Sequence, residues 1–216
     1  MFLNTKKEGE LASVMCHELA HLSQRHYARS QNRSSPLANA LMVLGSIAVA
    51  AASRNPEAIL LAPAAMQQMS INYTRSNEKE ADRIGFNNLV KAGFDPNDMT
   101  MMFQRMQDKY QNEDSEQFSY LMTHPLPSER LTDMRIRADG LKNNSKNSFR
   151  DNLDFYLMQK RAQVWAEKDI KELVNRFKKN LKSQNKNTEV SNRYGLSLAY
   201  KKNKDFEKSF GILRAV

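Results

Sequence analysis

His17-Glu18-Leu19-Ala20-His21 carries more chemical potential than any other stretch of the chain. On a helix, residues four apart share a face, so the two imidazoles stand one turn apart and point the same way. Two neutral imidazoles at that spacing can close on one zinc ion, and the glutamate between them can act on water as a general base. The sequence has only 4 histidines in 216 residues, so two of them in one pentapeptide direct attention to metal chemistry.

The flanking residues must supply the helix. Residues 10–25 contain no Gly or Pro, and Leu11, Val14, Met15, Leu19 and Leu22 recur at helical spacing. Thr5 and Glu8 stand at capping-box distance ahead of them. The competing interpretation is an amphipathic helix whose histidines are incidental, and a third ligand would decide between the two. An extended layout would need Gly and His where Gln24 and Tyr27 stand. His26, five residues past His21, falls off the ligand face of a continuous helix and reads as an ordinary polar position. A second helix over residues 73–91 offers carboxylates instead, with Ser76 or Asn77 as its cap. Glu78 and Asp82 share a face there, so that one can ligate a metal while the other orients a ligand histidine. Glu80 points elsewhere, and acidic residues in a first turn also serve plain capping.

Four motifs occur in order: His17-Glu18-Leu19-Ala20-His21, then Glu78-Lys79-Glu80-Ala81-Asp82-Arg83-Ile84-Gly85, then Ala92-Gly93-Phe94-Asp95-Pro96, then His124-Pro125-Leu126-Pro127-Ser128-Glu129-Arg130. Together they resemble the zinc metallopeptidase family that includes the CAAX prenyl proteases and the mitochondrial inner-membrane Oma proteases. Within that family they are most similar to the bacterial periplasmic branch that assists β-barrel assembly. The resemblance covers roughly residues 3–137. It implies zinc ligands His17, His21 and Glu78, a catalytic Glu18, and Asp82 behind the ligands. It also implies that His124 lies at the active-site mouth, either as a fourth, displaceable ligand or as a donor to the oxyanion. Arg130 is then expected to position the His124 loop or to hold a substrate carbonyl. Without the resemblance, His124-Pro125 would simply open a loop, since a residue before Pro is biased away from helix.

Length and composition leave room for one or two domains with a sizeable core. Alternating β-branched runs are scarce, so the chain is predicted to be mainly α. The expected organisation is a peptidase domain over 1–140, an Asn/Lys/Ser-rich linker over 141–148, and an incomplete set of tetratricopeptide-like hairpins over 149–216. Helical pieces are predicted near 151–167, 169–182, 188–202 and 205–216. In the last hairpin, Tyr194, Leu196, Ala199 and Tyr200 lie on one helix, Asp205-Phe206 opens the next and Leu213 packs back, with Ser209 where the repeat usually has Ala. The net charge of +9 and pI near 9.6 come mostly from residues after 140. No nucleic-acid motif or aromatic platform accompanies this excess, so it reads as a solvated basic face able to meet an acidic partner or a membrane surface. Residues 37–53 are apolar but shorter than the roughly 20 needed to span a bilayer. With residues 58–66 they predict a small-residue hairpin over the active-site helix, with amphipathic membrane contact as the alternative. The lone Cys16 excludes an intrachain disulfide.

No signal peptide precedes the zinc helix, whereas relatives carry one together with a substrate-binding β-hairpin, so the chain reads as a fragment. A periplasmic location follows from the resemblance alone. Two functions from different classes stand at this point. One is a zinc endopeptidase that cuts misfolded or stalled outer-membrane proteins while its repeats dock the assembly machinery. The other is a chaperone or adaptor with a latent zinc site capped by His124.

Overall fold

The computed structural model describes residues 2–33, 36–112, 120, 123–141, 152–183 and 185–214. Every regular element among the described residues is helical. The chain runs through α1 (Glu8–Ser23), α2 (His26–Arg33), α3 (Pro36–Ser53), α4 (Leu61–Lys91), α5 (Pro96–Asn112) and α6 (Ser128–Leu141). It continues through α7 (Leu153–Ala166), α8 (Ile170–Lys179), α9 (Lys186–Lys202) and α10 (Phe206–Leu213). The predicted linker falls on residues outside those described, except Leu141, which closes α6.

The start of α1 differs from the expected capping box. Lys7 is the N-cap and offers no side-chain bond. The Lys6 backbone N–H instead donates to Glu10 Oε2 at 2.6 Å, and Glu10, fully buried, pairs with Arg105 at 2.6 Å. Thr5 turns its hydroxyl to Phe2 O at 2.9 Å. The helix also stops two residues earlier than its polar and apolar pattern predicts. Arg25 adopts a left-handed φ of 53° and its N–H closes on Leu22 O at 3.0 Å. The chain therefore turns back on itself and α2 begins at His26.

The second helix is longer than expected. It runs unbroken from Leu61, so Ser76 and Asn77 are interior residues and not caps. No Gly or Pro interrupts residues 64–84, and nothing stops the helix there. Its buried face repeats at helical spacing through Glu78, Ala81, Asp82, Gly85, Phe86 and Leu89. It ends at Gly93, whose φ of 84° lets its N–H reach Val90 O and the Phe94 N–H reach Leu89 O. That pair of bonds is a Schellman cap, and Phe94 packs on the core beside it.

The core of this part joins Phe86 and Leu89 of α4 to Met99 and Phe103 of α5 and to Leu131, Met134 and Ala138 of α6. Each large side chain buried there is worth about 1.5–3 kcal/mol. α1 packs on α4 through fully buried Ala20 and Ala81. At Gly85 the approach is so close that a Cβ would lie 3.0 Å from both N and Cα of His17.

A separate core joins Val164, Leu173, Val174, Phe177, Leu196, Ala199 and Tyr200 from α7, α8 and α9. Ile212 of α10 packs on this core, whereas Leu213, predicted to pack back, is 45% exposed. Ser209 is buried because its hydroxyl meets that of Ser197 at 3.0 Å. The two parts touch through Gln159 of α7, whose amide donates to Phe2 O at 3.0 Å and Thr5 O at 2.6 Å.

The apolar hairpin is not the core element that its small residues predict. Leu37, Leu41, Leu44, Ile47 and Val49 of α3 stand exposed, and no described helix is long and apolar enough to cross a membrane.

Two stability predictions follow from this packing. Gly85→Ala drives a methyl into the α1 backbone and is expected to cost about 1–3 kcal/mol, measured by denaturant unfolding; an unchanged midpoint would show that the helices separate freely. Asp98 is buried, and that burial pushes its carboxyl up to about 6 from 3.8, against the attraction of Lys7. Between those values the folded chain holds a proton that the unfolded chain has released, so stability falls as pH rises through the window and stays lower above it. Asp98→Asn should therefore stabilise by about 1–3 kcal/mol at pH 7.5 and by much less near pH 4. A destabilised variant at pH 7.5 would mean that the Lys7 pair outweighs the burial.

Candidate metal centre

The close packing of α1 on α4 sets two imidazoles against a carboxylate. His17 Nε2 and His21 Nε2 lie 3.0 Å apart. Glu78 reaches both, with Oε2 at 3.4 Å from His17 Nε2 and Oε1 at 3.2 Å from His21 Nε2. His124 comes from the segment before α6, with Nδ1 at 3.0 Å from Glu78 Oε1. These four residues each offer one ligand atom, and the atoms all lie within 4.8 Å of one another.

Whether a cation fits can be judged from the lone pairs. His17 Nδ1 lies 2.9 Å from Asp82 Oδ1, although it makes no well-aligned hydrogen bond. A carboxylate beside Nδ1 favours a proton on that atom and leaves the Nε2 lone pair bare. The Nε2 atoms of His17 and His21 therefore converge with electron density facing electron density, an arrangement that a cation between them would relieve. Glu78 Oε2 is buried and makes no hydrogen bond either, despite Arg130 Nη1 at 2.7 Å. Imidazole nitrogens and a carboxylate oxygen form a donor set suited to a first-row divalent metal.

Arg130 holds the carboxylates together. It is 4% exposed and meets Asp82 twice, Nε to Oδ2 at 2.6 Å and Nη2 to Oδ1 at 2.7 Å. Its Nη1 also donates to Pro125 O at 2.6 Å, which ties the His124 loop to α4. The Pro125 contact is the geometry that the loop-positioning role expected for Arg130 would require. The guanidinium is turned inward on Asp82, Glu78 and Pro125.

The electrostatics follow from these neighbours. Burial works to raise the Glu78 carboxyl, but its polar contacts with His124, His17 and His21 and the charge of Arg130 hold it far below the carboxylate range. Burial works to lower His17, and contacts with Asp82 and Glu78 overcome it, so its pKa sits above the ordinary value. Glu78 is thus held in its ionised form by its neighbours.

Glu18 occupies the open side, its side chain 42% exposed and its Oε1 3.6 Å from His124 Nε2. Oε1 makes no hydrogen bond. Tyr120, which nothing in the sequence marked, stacks on His124 with ring centroids 4.6 Å apart. Burial first, then the charge of Glu18 and a hydrogen bond to it, keep the Tyr120 hydroxyl protonated far above its usual range.

His26 departs from its predicted role as an ordinary polar position. It is 4% exposed, with Nδ1 at 2.9 Å from His21 Nδ1 and Nε2 at 3.0 Å from Glu80 Oε2. Only the early stop of α1 could reveal this, and no residue type at Arg25 announces a left-handed turn. Glu80 does point away from the ligand cluster, as its helical position predicts.

Comparison with known proteins agrees with this geometry. The chain is 41% identical over 219 residues to the putative beta-barrel assembly-enhancing protease of Vibrio cholerae, covering 99% of this chain and 44% of that protein. It is 42% identical over 160 residues to the beta-barrel assembly-enhancing protease of Yersinia pestis, covering 71% and 32% respectively. With the Escherichia coli K12 protein of that name it shares 40% over 171 residues, covering 75% and 33%. The chain spans less than half the length of these relatives. Residues 1–138 match Peptidase family M48, whose members are metalloproteases, and they hold every member of the His/Glu cluster; the chain belongs to that family.

Proposed function

We propose that the chain is a zinc endopeptidase of the bacterial envelope, hydrolysing peptide bonds in misfolded or stalled outer-membrane proteins in the periplasm. The observation that carries this reading is the convergence of His17, His21 and Glu78, with Glu18 on the open side of the same cluster. Residues 1–140 form the peptidase domain, and the helices of 149–216 form tetratricopeptide-like hairpins that dock the assembly machinery. The exposed apolar residues of α3 offer a surface for membrane contact.

His17, His21 and Glu78 hold the metal, and Asp82 behind His17 keeps that imidazole in the orientation that ligation needs. Zinc in this site supplies Lewis acidity, polarising a carbonyl and acidifying water. Glu18 has a buried carboxylate oxygen without a hydrogen bond, 3.6 Å from His124 Nε2, which leaves it able to accept a proton. It takes the proton of the attacking water and delivers it to the leaving amine. Tyr120 holds Glu18 by its hydroxyl and remains a donor throughout. His124 is the displaceable member of the cluster: it joins Glu78 and Tyr120 from a loop and not from α1 or α4, and it faces the arriving carbonyl oxygen. A Glu18 oxygen left without a hydrogen bond beside the donors favours catalysis over a latent adaptor site.

Elemental analysis should find about one zinc per chain, lost in His17→Ala and Glu78→Ala and kept in His124→Ala. A parent chain free of zinc would end the zinc reading, and zinc lost from His124→Ala would make that histidine an obligatory ligand. Glu18→Gln should keep its metal while cleavage of a denatured outer-membrane β-barrel protein falls by about 100-fold or more. Cleavage undiminished in that variant would remove Glu18 from the mechanism.

A further inference from the structure

His21 can serve as a ligand only in one of its tautomers. Its Nε2 faces His17 and Glu78, so the lone pair must lie there and the proton must sit on Nδ1. That Nδ1 lies 2.9 Å from His26 Nδ1, with the rings edge to face at 81° and centroids 4.8 Å apart. Two imidazole nitrogens at this distance share one proton, and the partner of the second ring decides which of them holds it. The second ring has its Nε2 at 3.0 Å from Glu80 Oε2. A carboxylate only accepts, so His26 carries its own proton on Nε2 and presents a bare Nδ1 to His21. Arg29 Nη1, 3.2 Å from the same Glu80 oxygen, holds the carboxylate in place. The reverse direction would put the His21 proton on Nε2, where a cation must bind.

We infer that His26, backed by Glu80, is a positioning residue that fixes His21 with its Nε2 lone pair open to the metal. The inference rests on the zinc reading above. It gives His21 an outer partner equivalent to the one that Asp82 gives His17, except that the carboxylate acts through an intervening imidazole. The arrangement depends on the left-handed turn at Arg25, since an uninterrupted helix would carry residue 26 about 140° around the axis from residue 21.

The test is a competition titration of zinc against a chromophoric chelator, with the visible spectrum of the cobalt-loaded protein as a second readout. Parent, His26→Phe, His26→Asn and Glu80→Ala proteins are compared, and thermal unfolding without metal checks that each is folded. His26→Phe keeps an aromatic ring but no acceptor, and is expected to weaken zinc binding about 10–100-fold and to shift the cobalt bands. His26→Asn places an amide oxygen near the lost Nδ1 and is expected to restore most of the affinity. Glu80→Ala, at a partly exposed position, is expected to lose affinity in the same direction by less. Equal affinity in parent and His26→Phe would overturn the inference. Equal weakening in His26→Phe and His26→Asn would also overturn it, by making His26 a packing residue. So would an unchanged Glu80→Ala. Failure of the parent itself to bind zinc would defeat the zinc reading and this inference with it, which separates that failure from the others.

Discussion

At Gly85 the backbone of α4 lies against the backbone of α1 at Cys16 and His17, with room for a hydrogen and for nothing larger. That contact fixes the distance between the helix that carries the two imidazoles and the helix that carries the carboxylates. Asp82 and Glu78 stand one and two turns before Gly85 on the same face. The spacing that lets the backbones touch therefore also brings Asp82 to His17 and Glu78 to the pair of Nε2 atoms. Fully buried Ala20 and Ala81 keep the approach close along the interface.

Such proximity has an electrostatic cost, because two carboxylates are taken out of water on adjacent turns. Arg130 answers it with a two-point pairing to Asp82 and a contact with Glu78. Removing one partner from a buried set of this kind leaves an uncompensated charge, which is far more damaging than the loss of a surface pair. The same guanidinium holds Pro125 O, so the charge balance of the site and the place of the His124 loop are one arrangement.

The helical class and the facing of Glu78 and Asp82 were legible in the sequence because each follows from a period of 3.6 residues. His17 and His21 converge for the same reason. Features that depend on a break in periodicity were not legible. Arg25 has no side-chain property that favours a left-handed φ, so the end of α1, and with it the approach of His26 to His21, is set by tertiary context. Ser76 and Asn77 have good capping chemistry, yet the helix passes through them because no Gly or Pro stands between residues 64 and 84 and the start of α4 is anchored on α3 and the turn before it. Tyr120 had no signature, since a single aromatic before a His-Pro loop can face anywhere. The exposure of α3 was hidden because small apolar residues suit a core and an external contact equally well.

Gln159 makes three hydrogen bonds across the two cores, two to the main-chain carbonyls of Phe2 and Thr5 and one to the Thr5 hydroxyl, just ahead of α1. The Phe2 ring adds to the attachment, standing edge to face with Phe155 of the same helix at 5.7 Å between centroids. The C-terminal helices are therefore tied to the start of α1, two to three turns from His17, at a point well away in sequence from the residues between 141 and 152.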